Sequence, residues 1–256
     1  MKIRIKSKSA TSNHAFFPTA MPSKSLDAPG GNVMIDPPKP SIYRLALEIA
    51  IFVAVVVADA YGLVPITQTI FLLPLIWVML RLRGERWAEI GFTRPDRFGW
   101  SIVVGVLAGV LMELFAVYLT TPWISTFFGV EPDYSDLKDI RGNLTLLFLF
   151  LGLSWTLAAF GEEICFRGFL MKRLAQVFGE SRAAWVASLL LSSILFGWGH
   201  TEQGVSGWIQ EGLSGLLLGI LFLTAKRNLV VPIVAHGVSN TLAFVLIYLG
   251  RYPGLG

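Results

Sequence analysis

Several runs of about 17–22 predominantly apolar residues divide this chain, and each matches the hydrocarbon thickness of a bilayer. Composition agrees: of 256 residues, 54% are hydrophobic and 15% charged, too apolar a balance for an ordinary soluble domain. The expected fold is therefore all-α, a polytopic membrane bundle of about seven transmembrane helices around a polar cavity. A single cysteine, Cys165, excludes an internal disulfide framework and any multi-cysteine zinc site. The net charge of +4 is small, and the basic residues gather in a tail and short loops rather than on one helical stripe. That pattern belongs to membrane topology, with the lipid bilayer as partner, and not to nucleic-acid binding.

Residues 1–40 are polar, rich in Lys, Ser and Pro, without hydrophobic period, and read as a disordered cytoplasmic tail. No apolar core follows the basic start, so this is no signal peptide. Residues 41–256 form the bundle. The spans run over about 42–63, 66–82, 99–120, 144 to the acidic motif at 162, 183–199, 207–225 and 229–249. Asp59 is read as a boundary residue. The third span carries Glu113, a second-shell partner, a substrate contact or a satisfied bundle polar, and a Gly105/Gly109 pair that allows close helix approach. Residues 122–143 read as a long, mostly acidic loop. The tail, the 81–97 loop, the 172–182 stretch and Lys226–Arg227 all fall on one side. The positive-inside rule then sets the N-terminus in the cytoplasm and the C-terminus outside.

Glu162-Glu163-Ile164-Cys165-Phe166-Arg167 interrupts what would otherwise be a plain membrane helix. An ionisable residue in a span costs a few kcal/mol and is a functional-site hypothesis by default. Glu163 and Arg167, four apart, share a face in the order that suits an ion pair. Glu162 points about 100° away and has no local partner, which makes it the acid available for chemistry. His200 ends the fifth span four residues after Phe196, and His236 and Asn240 share one face of the seventh. Each has a plainer reading alone: His200 as an interface residue, Asn240 as interhelical glue, Trp198 and Trp208 as belt aromatics, Cys165 as a bystander.

Two chemistries suit a glutamate and two histidines. In the first, Glu162 takes a proton from water that His200 helps to hold, while His236 and Asn240 donate to the oxyanion of an attacked amide. In the second, the same groups hold zinc, although no H-E-x-x-H is present. Ser192, Ser193 and Ser239 lie nearby, but none stands in a G-x-S-x-G elbow. Glutamate-activated water ranks first.

The three patterns, Glu162-Glu163 with Arg167, Phe196 with His200, and His236 with Asn240, resemble the CPBP intramembrane endopeptidases, also called the Abi or CAAX protease family. The resemblance covers about 144–249 as a catalytic core. It implies a metal-independent glutamic endopeptidase without cofactor, shaped like a type II CAAX prenyl endopeptidase with a conical cavity. Glu162 and His200 would activate water, His236 and Asn240 would line the oxyanion side, and Glu163, Arg167 and Phe196 would support them. The substrate would be a peptide or protein, possibly membrane-associated. In eukaryotic members it is a prenylated C-terminal tetrapeptide, and bacterial members are linked to bacteriocin maturation or immunity. The short loops and basic face resemble a bacterial inner-membrane member, for which a prenylated substrate is not expected.

The span limits conflict with the scheme at one point. They set His200 near the outer end of its helix and Glu162 and His236 toward the cytoplasmic half. Glycines at 197, 199, 204, 207, 212 and 215 suggest a broken or shallow segment that returns His200 to the others. The rival readings are a non-catalytic membrane scaffold or bacteriocin-immunity protein binding a peptide or partner helix in the same cavity, and a transporter relaying protons through Glu113, Glu162 and His236. No repeated halves favour the transporter.

Overall fold

Apolar runs separated by short polar turns give seven helices among the described residues, 41–130 and 134–253 of a computed structural model. The expected tail, 1–40, lies outside them. Helix α1 spans Ile42–Ala60 and α2 spans Thr69–Arg83. Next come α3, Phe98–Phe128, α4, Leu144–Val177, and α5, Arg182–Trp198. Helices α6, Gly204–Thr224, and α7, Val230–Tyr248, complete the set. No strand occurs among the described residues.

Four of these, α3, α4, α6 with its preceding turn, and α7, are long and apolar enough to cross a membrane. Helix α1 has the length but carries Arg44, Glu48 and Asp59. Helices α2 and α5 have only 15 and 17 residues, roughly 23–26 Å against a hydrocarbon core of about 30 Å. The seven expected helices are all present; four combine span length with an apolar enough sequence.

The stretch read as a loop after residue 121 differs. Helix α3 continues through a π-turn at Ala116–Thr120 into Thr121–Phe128. Pro122 directly follows this π-turn, whose altered winding accommodates the missing N–H, and the helix continues past it.

Helices without a hydrophobic drive between them associate through close packing. Gly105, Gly109 and Glu113 are the buried residues of Phe98–Phe115, one every four positions. A Cβ on Gly105 would stand 2.6 Å from Val234 Cβ, and one on Gly109 would meet the Ala235 carbonyl, so the glycine pair sets how closely α3 approaches α7. The main core joins α1, α2, α4, α5 and α6 through rings: Phe52 meets Phe166 edge-on at 5.2 Å, and Phe166 meets Phe196 at 5.0 Å. Cys165 is buried in this core, away from the polar cavity, as expected of a bystander.

One end of the bundle is clamped by charge. Arg173 on α4 lies 2.7 Å from Glu48 of α1 and 2.8 Å from Glu85, which also binds Arg83 at 2.7 Å. Burial raises the Glu85 carboxyl, but its hydrogen bond with Arg173 and the surrounding cations win and hold it below the usual carboxylate range. The remaining basic turns reach the same end: Lys172 Nζ donates to the Glu89 carbonyl, and Asn228 Nδ2 donates to the Thr93 carbonyl, both at 2.9 Å.

Candidate active site

The acidic motif lies in an unusual winding. Ser154–Leu170 of α4 forms a π-helix of 17 residues, a geometry ordinarily confined to single turns and often found at functional sites. From Gly161 to Leu170 every residue is buried. Glu163 Oε1 accepts from Arg167 Nη1 at 2.7 Å, the ion pair the spacing predicted. Arg167 in turn lies over the ring of Phe196, 4.3 Å from its centroid. That ring also touches both imidazoles, with centroid distances of 4.8 Å to His200 and 6.4 Å to His236.

The two histidines are held by their Nδ1 atoms. His200 Nδ1 lies 2.8 Å from the Phe196 carbonyl, which only accepts, so this nitrogen carries a proton and Nε2 is the one left for the cavity. His236 Nδ1 lies 2.9 Å from Glu163 Oε1. A carboxylate at that position accepts from Nδ1–H and orients the ring, leaving Nε2 toward the cavity. Asn240 Nδ2 donates to Ser154 Oγ at 3.0 Å, so one amide hydrogen ties α7 to α4 and a second remains.

Glu162, His200, His236 and Asn240 line one cavity of about 510 Å³. The separation of His200 from Glu162 that the span limits suggest does not occur. Helix α5 ends at Trp198, and His200 folds back onto the Phe196 carbonyl instead of continuing outward. Glu162 is only 8% exposed and makes no hydrogen bond or ion pair among the described residues. Glu163, Arg167 and Phe196 stand behind the cavity wall rather than in it. No three His, Cys, Asp or Glu side chains among the described residues converge as metal ligands.

Of the opposite wall, the sequence offered only Glu113, as a supporting partner, a substrate contact or a satisfied bundle polar. Glu113 Oε2 accepts from Ser239 Oγ at 2.9 Å, and Thr121 Oγ1 donates to Gln210 Oε1 at 3.0 Å. Glu202, Glu211, Tyr134 and Tyr252 also line the space. Gln210 and Glu211 carried a legible signal, being polar residues inside a span; the two tyrosines, outside the spans, carried none. Their rings meet edge-on at 5.1 Å, and burial pushes both phenols above their ordinary value, so they stay protonated donors.

Residues 144–242, which include the π-helix, both histidines and Asn240, match the family model described as type II CAAX prenyl endopeptidase Rce1-like. Over this region the chain is similar to the CAAX protease family. No curated protein and no solved structure matches the chain significantly. The matched region begins at the first residue of α4 and ends within α7, so every motif residue lies inside it. Glu113, Tyr134 and Tyr252 join the cavity from outside it.

Proposed function

We propose that the protein is a multi-pass membrane endopeptidase that hydrolyses a peptide bond with water activated by Glu162, without a metal. The observation that carries this reading is Glu162 itself, a buried carboxylate without a partner, facing a cavity into which two oriented histidines also look. A carboxylate placed in this way can take up a proton and return it.

A water between Glu162 and His200 would donate one hydrogen bond to His200 Nε2 and lose its other proton to Glu162. The hydroxide attacks the carbonyl carbon, and the new oxyanion accepts from His236 Nε2–H and the second Asn240 amide hydrogen. That donation requires His236 to carry a proton on both nitrogens, with Nδ1–H donating to Glu163. The C–N bond then breaks as protonated Glu162 returns its proton to the leaving nitrogen.

The substrate is a peptide or protein segment. The lining carries Glu113, Glu162, Glu202 and Glu211 and, among the described residues, no Lys or Arg. That balance disfavours a free C-terminal carboxylate, the end group of a prenylated tetrapeptide, and favours a segment with cationic residues. The basic turns gathered at one end support a cytoplasmic N-terminus in a bacterial inner membrane.

Peptide cleavage by purified protein in detergent tests the reading, wild type beside Glu162→Gln, with and without a strong chelator. Chelator-resistant cleavage that the substitution abolishes is the expected result. Cleavage lost to the chelator and restored by zinc would overturn the metal-free mechanism. Undiminished cleavage by a folded Glu162→Gln protein would overturn the assignment of the base.

A further inference from the structure

A groove separate from the catalytic cavity shares no lining residue with it. It measures about 860 Å³ and runs between the start of α3 and the α6–α7 turn. Arg94, Arg97 and Lys226 line it against Asp96 alone, an excess of cations. All three are exposed, and none lies within ion-pair distance of a carboxylate among the described residues. Arg94 and Arg97 precede the N-terminus of α3, where the helix dipole adds further positive potential instead of offsetting it.

The groove is graded by depth. Its cations stand at the turns, Trp100, 63% exposed, lies in the first turn of α3, and Val104 lies one turn farther along that helix. Cation, indole and aliphatic wall in that order match phosphate, glycerol and acyl chain in a bilayer leaflet.

The groove is also held in shape. Lys226 and Arg227 both adopt left-handed backbone, with φ of 57° and 62°, a conformation that favours glycine. The turn is pinned by Leu229 N donating to the Gly91 carbonyl at 3.1 Å and by Asn228 Nδ2 donating to the Thr93 carbonyl at 2.9 Å. Arg227 lies over the Trp185 ring, 4.9 Å from its centroid, while Lys226 lines the groove, a long cation where glycine would fit with less strain. A basic pocket between membrane helices, beside the basic face of the molecule, recognises an anionic lipid headgroup.

We infer that this groove binds an anionic glycerophospholipid, with the lipid phosphate held among Arg94, Arg97 and Lys226. The site is independent of the protease reading.

Native mass spectrometry of the full-length protein in detergent tests it, with phosphatidylglycerol, phosphatidylcholine of the same acyl chains, and inorganic phosphate as probes. Wild type should retain phosphatidylglycerol preferentially, and the preference should fall roughly fivefold for each cation neutralised in Arg94→Gln, Arg97→Gln and Lys226→Gln. Lys226→Gly guards against misfolding, because glycine suits the left-handed turn: it should keep thermal stability while losing about fivefold in lipid preference. Equal retention of the two lipids, or an unchanged preference in Lys226→Gly and the triple variant, would overturn the inference. Inorganic phosphate displacing phosphatidylglycerol at comparable concentration would make this a free-anion site and overturn the lipid assignment.

Discussion

His236 Nδ1 and Glu163 Oε1 lie 2.9 Å apart, and the same carboxylate oxygen accepts from Arg167 Nη1 at 2.7 Å. One fully buried oxygen thus joins the acidic motif of α4 to the histidine of α7. The second glutamate of the motif is occupied by this arrangement, and the first is left to face the cavity.

Removing one member of that buried arrangement should be costly. Glu163→Gln leaves Arg167 buried without its counter-charge, and a loss of about 3–5 kcal/mol is expected for a broken buried pair. Glu163→Gln/Arg167→Met should recover part of that loss. Thermal unfolding in detergent measures both. A double variant less stable than either single one would show that the pair is not the source of the cost.

The two acids should separate in their effects. Glu162→Gln should lower kcat by roughly 10²–10⁴-fold, the range for a general base, with little change in unfolding temperature because Glu162 has no partner to lose. Cleavage kinetics beside thermal unfolding provide the check.

Asn240→Ala should reduce kcat by about 10²–10³-fold if its amide donates to the oxyanion. Ser154→Ala removes only its contact with α4 and should change kcat far less. Equal losses in the two variants would make Asn240 an interhelical tie alone.

The acidic lining should show in substrate choice. Glu113→Gln/Glu211→Gln should reduce the preference for peptides carrying Lys or Arg beside the scissile bond over neutral analogues, read as a ratio of kcat/KM. A ratio unchanged in the variant would detach these acids from specificity.

Glu85 predicts a pH dependence outside the membrane. Its folded carboxyl titrates below its unfolded value, so its stabilising contribution is complete above about pH 4.3, the ordinary glutamate value. That contribution is lost as the pH falls through the lower folded value. Wild-type unfolding temperature should therefore decline on acidification below about pH 4, and Glu85→Gln, lacking this titration, should decline less.

The motif residues were legible because each breaks a rule of the span that holds it. Glu162, Glu163 and Arg167 are charges in an apolar run, and His236 and Asn240 are polar groups four apart on one face. Gln210 and Glu211 broke the same rule but stood in a span with no partner motif in sequence. Tyr134 and Tyr252 could not be found this way, since a tyrosine in a turn violates nothing.

The chain alone determined that this is an all-α membrane bundle, because apolar run length and internal hydrogen bonding leave a lipid-embedded backbone little else. It also determined the Glu163–Arg167 pair, because helical spacing is local. Only the tertiary structure decided that His200 turns back to join Glu162 and His236, that His236 is tied to Glu163, and that Glu113 and the tyrosines complete the cavity. The physical reason is that these relations depend on where separate helices end and how closely they pack. Both are set by contacts between residues far apart in sequence, such as Gly109 against the backbone at Ala235.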